Sequence, residues 1–223
     1  KLLLDKVFYD MSDDVILFFD DLLIATDGTL ENHLKVVDKV LQKIIAAGLK
    51  VGPAKISLAK EHVEFLGMVF SKGKINIPKA KLDAFKKLPS PNTPKKAKSV
   101  VCALSFYRHF CPNFAELSRE IHEMGGKNAK QFKWTEELEK KFRLLIKTMC
   151  ENASLYLPDP KKKMYVQSDA SMNCAGGRVF QKDKDGKEMV IAAVSRTFTK
   201  TERHYSIFKK EILSLLYVLK TMD

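Results

Sequence analysis

Two apolar runs, Val15-Ile16-Leu17 and Leu22-Leu23-Ile24, are separated by Phe18-Phe19-Asp20-Asp21. Runs this short, rich in β-branched and aliphatic residues and broken by Asp, predict a hairpin that bends at the two acids. Consecutive carboxylates repel, and burial worsens the repulsion. Two readings fit. Asp favours turns, so the pair can be the tip of a surface turn. A divalent cation would also relieve the repulsion and would give the hairpin a role in phosphoryl transfer.

Length and composition narrow the choices. The 223 residues can hold one large domain or two to three small ones, and 45% hydrophobic residues suffice for real cores. No apolar stretch has the length of a membrane span, so no membrane partner is expected. Cys102, Cys111, Cys150 and Cys174 show neither C-x-x-C spacing nor paired histidines, which argues against a zinc site or a disulfide framework. The chain starts at Lys1 and stops at Asp223 within a helical pattern, as a piece of a longer protein would. The net charge of +12 is unevenly distributed. Acids dominate from Lys1 to Leu34, whereas Lys72, Lys74, Lys79, Lys81, Lys86, Lys87, Lys95, Lys96 and Lys98 face only Asp83 from Lys72 to Lys98. An acidic, cation-attracting segment beside a lysine-dense one suits a polyanion such as nucleic acid; a solvated, solubilising surface has the same composition.

Thr29 is a predicted N-cap, and Leu30, Leu34, Val37, Leu41, Ile44 and Ile45 share one helical face that Gly48 terminates. Short strands follow from Val63 to Ile77, broken by Gly67 and Gly73. Prolines bracket a lysine-rich helix, Lys79 to Lys87, and two more helices are expected over Lys95 to Phe110 and Phe114 to Met124. Trp134-Thr135 leads into a helix with the stripe Leu138, Phe142, Leu145, Ile146 and Met149. Strands are expected at Met164 to Ser168, Arg178 to Gln181 and Met189 to Ser195. A last helix, Ser206 to Leu219, carries the stripe Ile207, Ile212, Leu215, Leu216 and Leu219. The fold class is α+β.

The order of these elements resembles the reverse transcriptase–RNase H region of LTR-retrotransposon and retroviral polyproteins, the gypsy class above all. Phe18-Phe19-Asp20-Asp21 is similar to the Y-x-D-D of the polymerase palm, and His62-Val63-Glu64-Phe65-Leu66-Gly67 to the segment that enters the primer grip. Leu104 to Ala115 (Leu-Ser-Phe-Tyr-Arg-His-Phe-Cys-Pro-Asn-Phe-Ala) is similar to the thumb's L-x-x-Y-Y-R-x-F-I-P-x-F-A. Phe132-Lys133-Trp134-Thr135 is similar to the connection's F-x-W-T. Ser168-Asp169-Ala170-Ser171 matches the T-D-A-S that opens RNase H. Ser195-Arg196-Thr197, Thr201 to Ser206 and Lys210-Glu211-Ile212-Leu213 follow in the family's order.

The resemblance implies the C-terminal part of a palm with its primer-grip hairpin over residues 1–77 and a thumb over 78–130. A connection over 131–160 and the start of an RNase H-like α/β domain over 161–223 would follow. It implies two phosphoryl-transfer centres using Mg²⁺ or Mn²⁺: Asp20 and Asp21 in the palm, Asp169 and Glu211 in RNase H. Leu66, Gly67 and Met68 would position the primer, and Lys79, Lys81, Lys86 and Lys87 would meet duplex phosphates. Tyr107 and Arg108 would lie near the nucleic acid, with a place in the helical core as the alternative for the aromatic ring. Implied partners are RNA template, DNA primer, RNA–DNA hybrid and a second copy of the chain. The implied location is intracellular, in cytoplasm or a virus-like particle, with the nucleus as an alternative.

The match has departures. Phe18 stands for the family's Tyr, Cys102 for a close-packing Gly, and Lys209 for a common Glu, while Arg178 and Phe180 interrupt an apolar strand. The palm's third Asp would precede Lys1 and further RNase H acids would follow Asp223, so the chain alone is expected to be inactive. A non-catalytic nucleic-acid-binding or protein-interaction module descended from a retroelement is the alternative reading, and an inert relic a third.

Overall fold

The computed structural model describes residues 2–53, 56–126 and 132–222. The chain divides into two compact units, 1–72 and 73–223, each with its own packing.

In the first unit, α1 (Leu2–Val7) and a short 3₁₀ turn (Tyr9–Met11) lead into β1 (Val15–Phe18) and β2 (Asp21–Ile24). The strands pair antiparallel from Val15 opposite Ile24 to Phe18 opposite Asp21, leaving Phe19-Asp20 as a two-residue turn. The helix α2 (Leu30–Ala46) begins at Thr29, whose hydroxyl accepts a hydrogen bond from Asn32 N. It ends as the sequence predicts: Gly48 has φ 69°, and Leu49 N donates to Ile44 O. Phe8, Met11, Val15, Val36 and Val40 form the core, with Leu17, Leu22, Ile24 and Ile44 packed against it. The expected helical stripe is therefore corrected. Val37 is buried, but Leu30, Leu34, Leu41 and Ile45 are exposed, and Val36 and Val40 take the inward face. A second hairpin pairs β3 (His62–Phe65) with β4 (Met68–Ser71).

In the second unit, β5 (Lys74–Asn76) pairs antiparallel with β6 (Ser154–Tyr156), a strand too short to stand out in the sequence. Between them lie α3 (Lys79–Lys86), α4 (Pro94–Ser105), α5 (Phe114–Met124) and α6 (Glu136–Glu151). Thr93 and Thr135 cap α4 and α6 through their hydroxyls. α5 packs against both α4 and α6. The whole α6 stripe, Leu138, Phe142, Leu145, Ile146 and Met149, is buried. The expected helix over Lys95 to Phe110 breaks after Ser105 into a 3₁₀ turn, Arg108–Phe110.

A three-stranded antiparallel sheet follows, in the order β7 (Tyr165–Ala170), β8 (Cys174–Lys182), β9 (Glu188–Thr197), with a bulge at Val179/Phe180. α7 (Ile207–Thr221) lies on β7 and β8. A Cβ on Gly177 would meet Val218 Cγ2 at 2.6 Å and collide with Gln167 O, so glycine is what lets helix and sheet approach this closely. Here too the predicted stripe is corrected: Lys210, Ser214 and Val218 face inward, while Ile207, Ile212, Leu215, Leu216 and Leu219 are exposed. Among the described residues no helix is long and apolar enough to cross a membrane.

Candidate metal centres and nucleic-acid surface

The β1–β2 turn presents two carboxylates outward. Phe19 has φ 52°, a left-handed conformation in which hairpins usually place glycine. Its ring meets Phe18 edge-on at 4.9 Å, and both rings are exposed. Asp20 and Asp21 are exposed, and no basic side chain among the described residues engages either one. The strained residue Phe19 thus stands beside Asp20 at the tip, with Asp21 opening β2 next to it.

The other acidic pair comes from two elements. Asp169 is the fifth residue of β7, opposite Gly176, and its Oδ1 accepts a hydrogen bond from Ala170 N at 2.9 Å. Glu211 sits in the first turns of α7, half-buried, on the helix that packs over β7. Among the described residues no group of three or more His, Cys, Asp or Glu is placed to hold a metal ion. The donors fit a hard cation nonetheless. Mg²⁺ is commonly held by one or two carboxylates while it keeps waters and takes phosphate oxygens from a substrate.

In the β3–β4 turn, Leu66 and Gly67 have φ 51° and 73°, the pairing that a two-residue primed turn requires, and they are flanked by Phe65 opposite Met68. Lys79, Lys81, Lys86 and Lys87 are exposed along and just after α3; Lys86 lies 3.9 Å from Asp83. Lys95, Lys96 and Lys98 continue this basic set on α4.

Tyr107 takes its alternative place, the core. It is 5% exposed and stands edge-on to Phe85, Phe106 and Phe110 at 5.6, 4.8 and 6.2 Å. Arg108 also turns inward, and its guanidinium donates to Ser195 O. Cys102 is exposed, so its replacement of a small residue crowds nothing. Arg178 is accommodated on the sheet by Gln167 Oε1 and Glu188 Oε2, both at 2.8 Å, and by stacking on Phe180.

Sequence reasoning missed three polar features. Ser195 is a junction: Ala115 N donates to its hydroxyl at 2.9 Å, and Arg108 and Tyr217 donate to its carbonyl. Arg196 grips Glu202 with two bonds of 2.8 Å and, with help from Thr199 N, holds that carboxyl at about 2. Lys210 is buried in a helix whose obvious apolar face points elsewhere. The ordered run from Ser195 through Glu202 to Lys210 was the available signal. Burial pushes the thiols of Cys111 and Cys174 up to about 12, which leaves them without thiolate chemistry.

Residues 1–70 match the model of reverse transcriptase (RNA-dependent DNA polymerase), and residues 134–223 match that of the RNase H-like domain found in reverse transcriptase. This chain belongs to the reverse transcriptase–RNase H region of retrovirus-related Pol polyproteins. The retrovirus-related Pol polyprotein from transposon 412 of Drosophila melanogaster is 31% identical over 91% of the chain, and that from transposon gypsy is 28% identical over 96%. The chain spans 16% and 20% of the length of these two relatives. The fold matches the foamy viral protease-reverse transcriptase solved in complex with RNA/DNA hybrid, with a TM-score of 0.83 at 24% identity over 98% of this chain and 29% of that one. The reverse transcriptase–RNase H family uses divalent metals.

Proposed function

We propose that the chain is the part of a retroelement RNA-directed DNA polymerase that carries two metal-dependent phosphoryl-transfer centres. In this reading residues 1–77 are palm and primer-grip hairpin, 78–130 thumb, 131–160 connection and 161–223 the start of RNase H. The observation that carries it is the β1–β2 hairpin, where Asp20 and Asp21 stand exposed beside the left-handed Phe19, with no basic partner among the described residues.

Asp20 and Asp21 would hold Mg²⁺, or Mn²⁺, at the primer terminus, and Asp169 and Glu211 would hold it beside the RNA strand of a hybrid. Bound there, the cation supplies Lewis-acid stabilisation of the attacking and leaving oxygens. The chain's own residues do the positioning. Leu66 and Gly67 form the two-residue turn, with Met68 opening the next strand, and this hairpin would face a primer end, while Lys79, Lys81, Lys86 and Lys87 would contact phosphates without reading sequence. The proposed partners are RNA template, DNA primer and RNA–DNA hybrid; the foamy viral relative, solved on a hybrid, supports this choice. We propose an intracellular parent protein, in cytoplasm or virus-like particles with the nucleus as the alternative, and sedimentation of the purified chain decides between monomer and homodimer.

The test is binding of an RNA–DNA hybrid as a function of salt. The reading expects affinity that falls steeply with salt. Replacing Lys79, Lys81, Lys86 and Lys87 by Gln should shrink the slope by about one unit for each phosphate no longer neutralised. Salt-independent binding, or none, overturns it.

A further inference from the structure

Lys210 is 6% exposed on the inward face of α7, where a methionine would fill the same space without a charge. Burying an ammonium is costly unless hydrogen bonds offset the loss of water. No carboxylate pairs with it among the described residues. Its Nζ donates instead to Met172 O at 3.1 Å and lies 5.8 Å from the centre of the Phe198 ring. Among the described residues, α7 makes two side-chain hydrogen bonds to the sheet and its turns. One is from Lys210; the other, from Tyr217 to Ser195 O, is long at 3.5 Å.

The acceptor is built to transmit position. Met172 lies in the β7–β8 turn, three residues beyond Asp169, and the turn is braced on each side. Ser171 N donates to Cys174 O at 2.9 Å, Asn173 N and Cys174 N donate to Ser171 Oγ, and Phe198 N donates to Asn173 O at 2.7 Å. One end of the tie is therefore adjacent in sequence to Glu211, and the other is fixed to the turn that follows Asp169. We propose that Lys210 is a positioning residue that sets the separation of Asp169 and Glu211 by clamping α7 to the β7–β8 turn. The inference rests on the reading of those two acids as cation ligands.

Electrostatics makes the test discriminating. If Lys210 acted only as a nearby positive charge, removing it would tighten cation binding; a clamp predicts the opposite. The experiment titrates Mn²⁺ by electron paramagnetic resonance into the full chain carrying Asp20→Asn and Asp21→Asn, so that only the second centre is counted. Folding is checked by thermal melting. Lys210→Met is expected to weaken Mn²⁺ binding by about 10–100-fold, the range found for groups that orient ligands, while Asp169→Asn abolishes it. Unchanged or tighter binding in Lys210→Met, with Asp169→Asn still defective, overturns the clamp and leaves the metal reading intact. Binding insensitive to Asp169→Asn overturns the metal reading itself and the clamp with it. Should Lys210→Met melt below the assay temperature, Lys210→Gln is judged on the same criterion.

Discussion

α6 and α7 carry the same kind of message in sequence and meet opposite fates. Both have apolar residues repeating at helical spacing, yet the α6 stripe is wholly buried, whereas Ile212, Leu215, Leu216 and Leu219 of α7 are 43–46% exposed. The difference lies in the surface each helix meets. α6 faces neighbouring helices, whose grooves accept large side chains. α7 lies on a sheet and turns Lys210, Ser214 and Val218 toward it, with Val218 in close contact at Gly177 and Leu213 and Tyr217 packed at the margins. Periodicity shows that a helix has an apolar face; it does not show which face the rest of the chain can cover.

The largest expected effect breaks α6. Phe142→Ala should cost about 3–5 kcal/mol in urea unfolding, because the ring is fully buried and Trp134 stands edge-on to it at 5.9 Å. The matching truncation in α7, Leu215→Ala, should stay within about 0.5 kcal/mol. An equal cost at the two positions would refute the contrast.

Next is the Arg196–Glu202 pair, which ties the end of β9 to the segment before α7. Glu202 is held at about 2, far below the ordinary carboxylate, so its contribution is full above the unfolded value and is lost as pH falls toward 2. Glu202→Gln should cost about 1.5–3 kcal/mol at pH 7, and the gap to the parent should close on acidification to about pH 2. A gap that does not change with pH would contradict the assignment.

Gly177→Ala probes the α7 contact from the sheet side and should cost about 1–3 kcal/mol through overpacking against Val218. The smallest effect runs the other way. Phe19→Gly should stabilise the β1–β2 hairpin by about 1 kcal/mol by relieving its left-handed backbone, measured as a rise in the unfolding midpoint.

Legibility followed the range of the interaction. Features set within a few residues were readable: the β1–β2 hairpin, though its turn falls at Phe19-Asp20 and not at Asp20-Asp21, the Thr29 cap, Gly48 after α2, and the breaks at Gly67 and Gly73. Ordered motifs gave the family. What the sequence hid depends on distant partners. The inward face of α2 is chosen by the hairpin it crosses, and Tyr107 is claimed by Phe85, more than twenty residues away. Lys210 was invisible because a lysine in an exposed-looking position reads as solvent-facing. Only the β7–β8 turn shows where its ammonium goes.

The most direct test of the functional account is Mn²⁺ titration of the 223-residue chain and two variants, Asp20→Asn/Asp21→Asn and Asp169→Asn. The account predicts that each variant loses one of two separable binding sites and that the combined variant loses both. Identical titrations for parent and variants would contradict it.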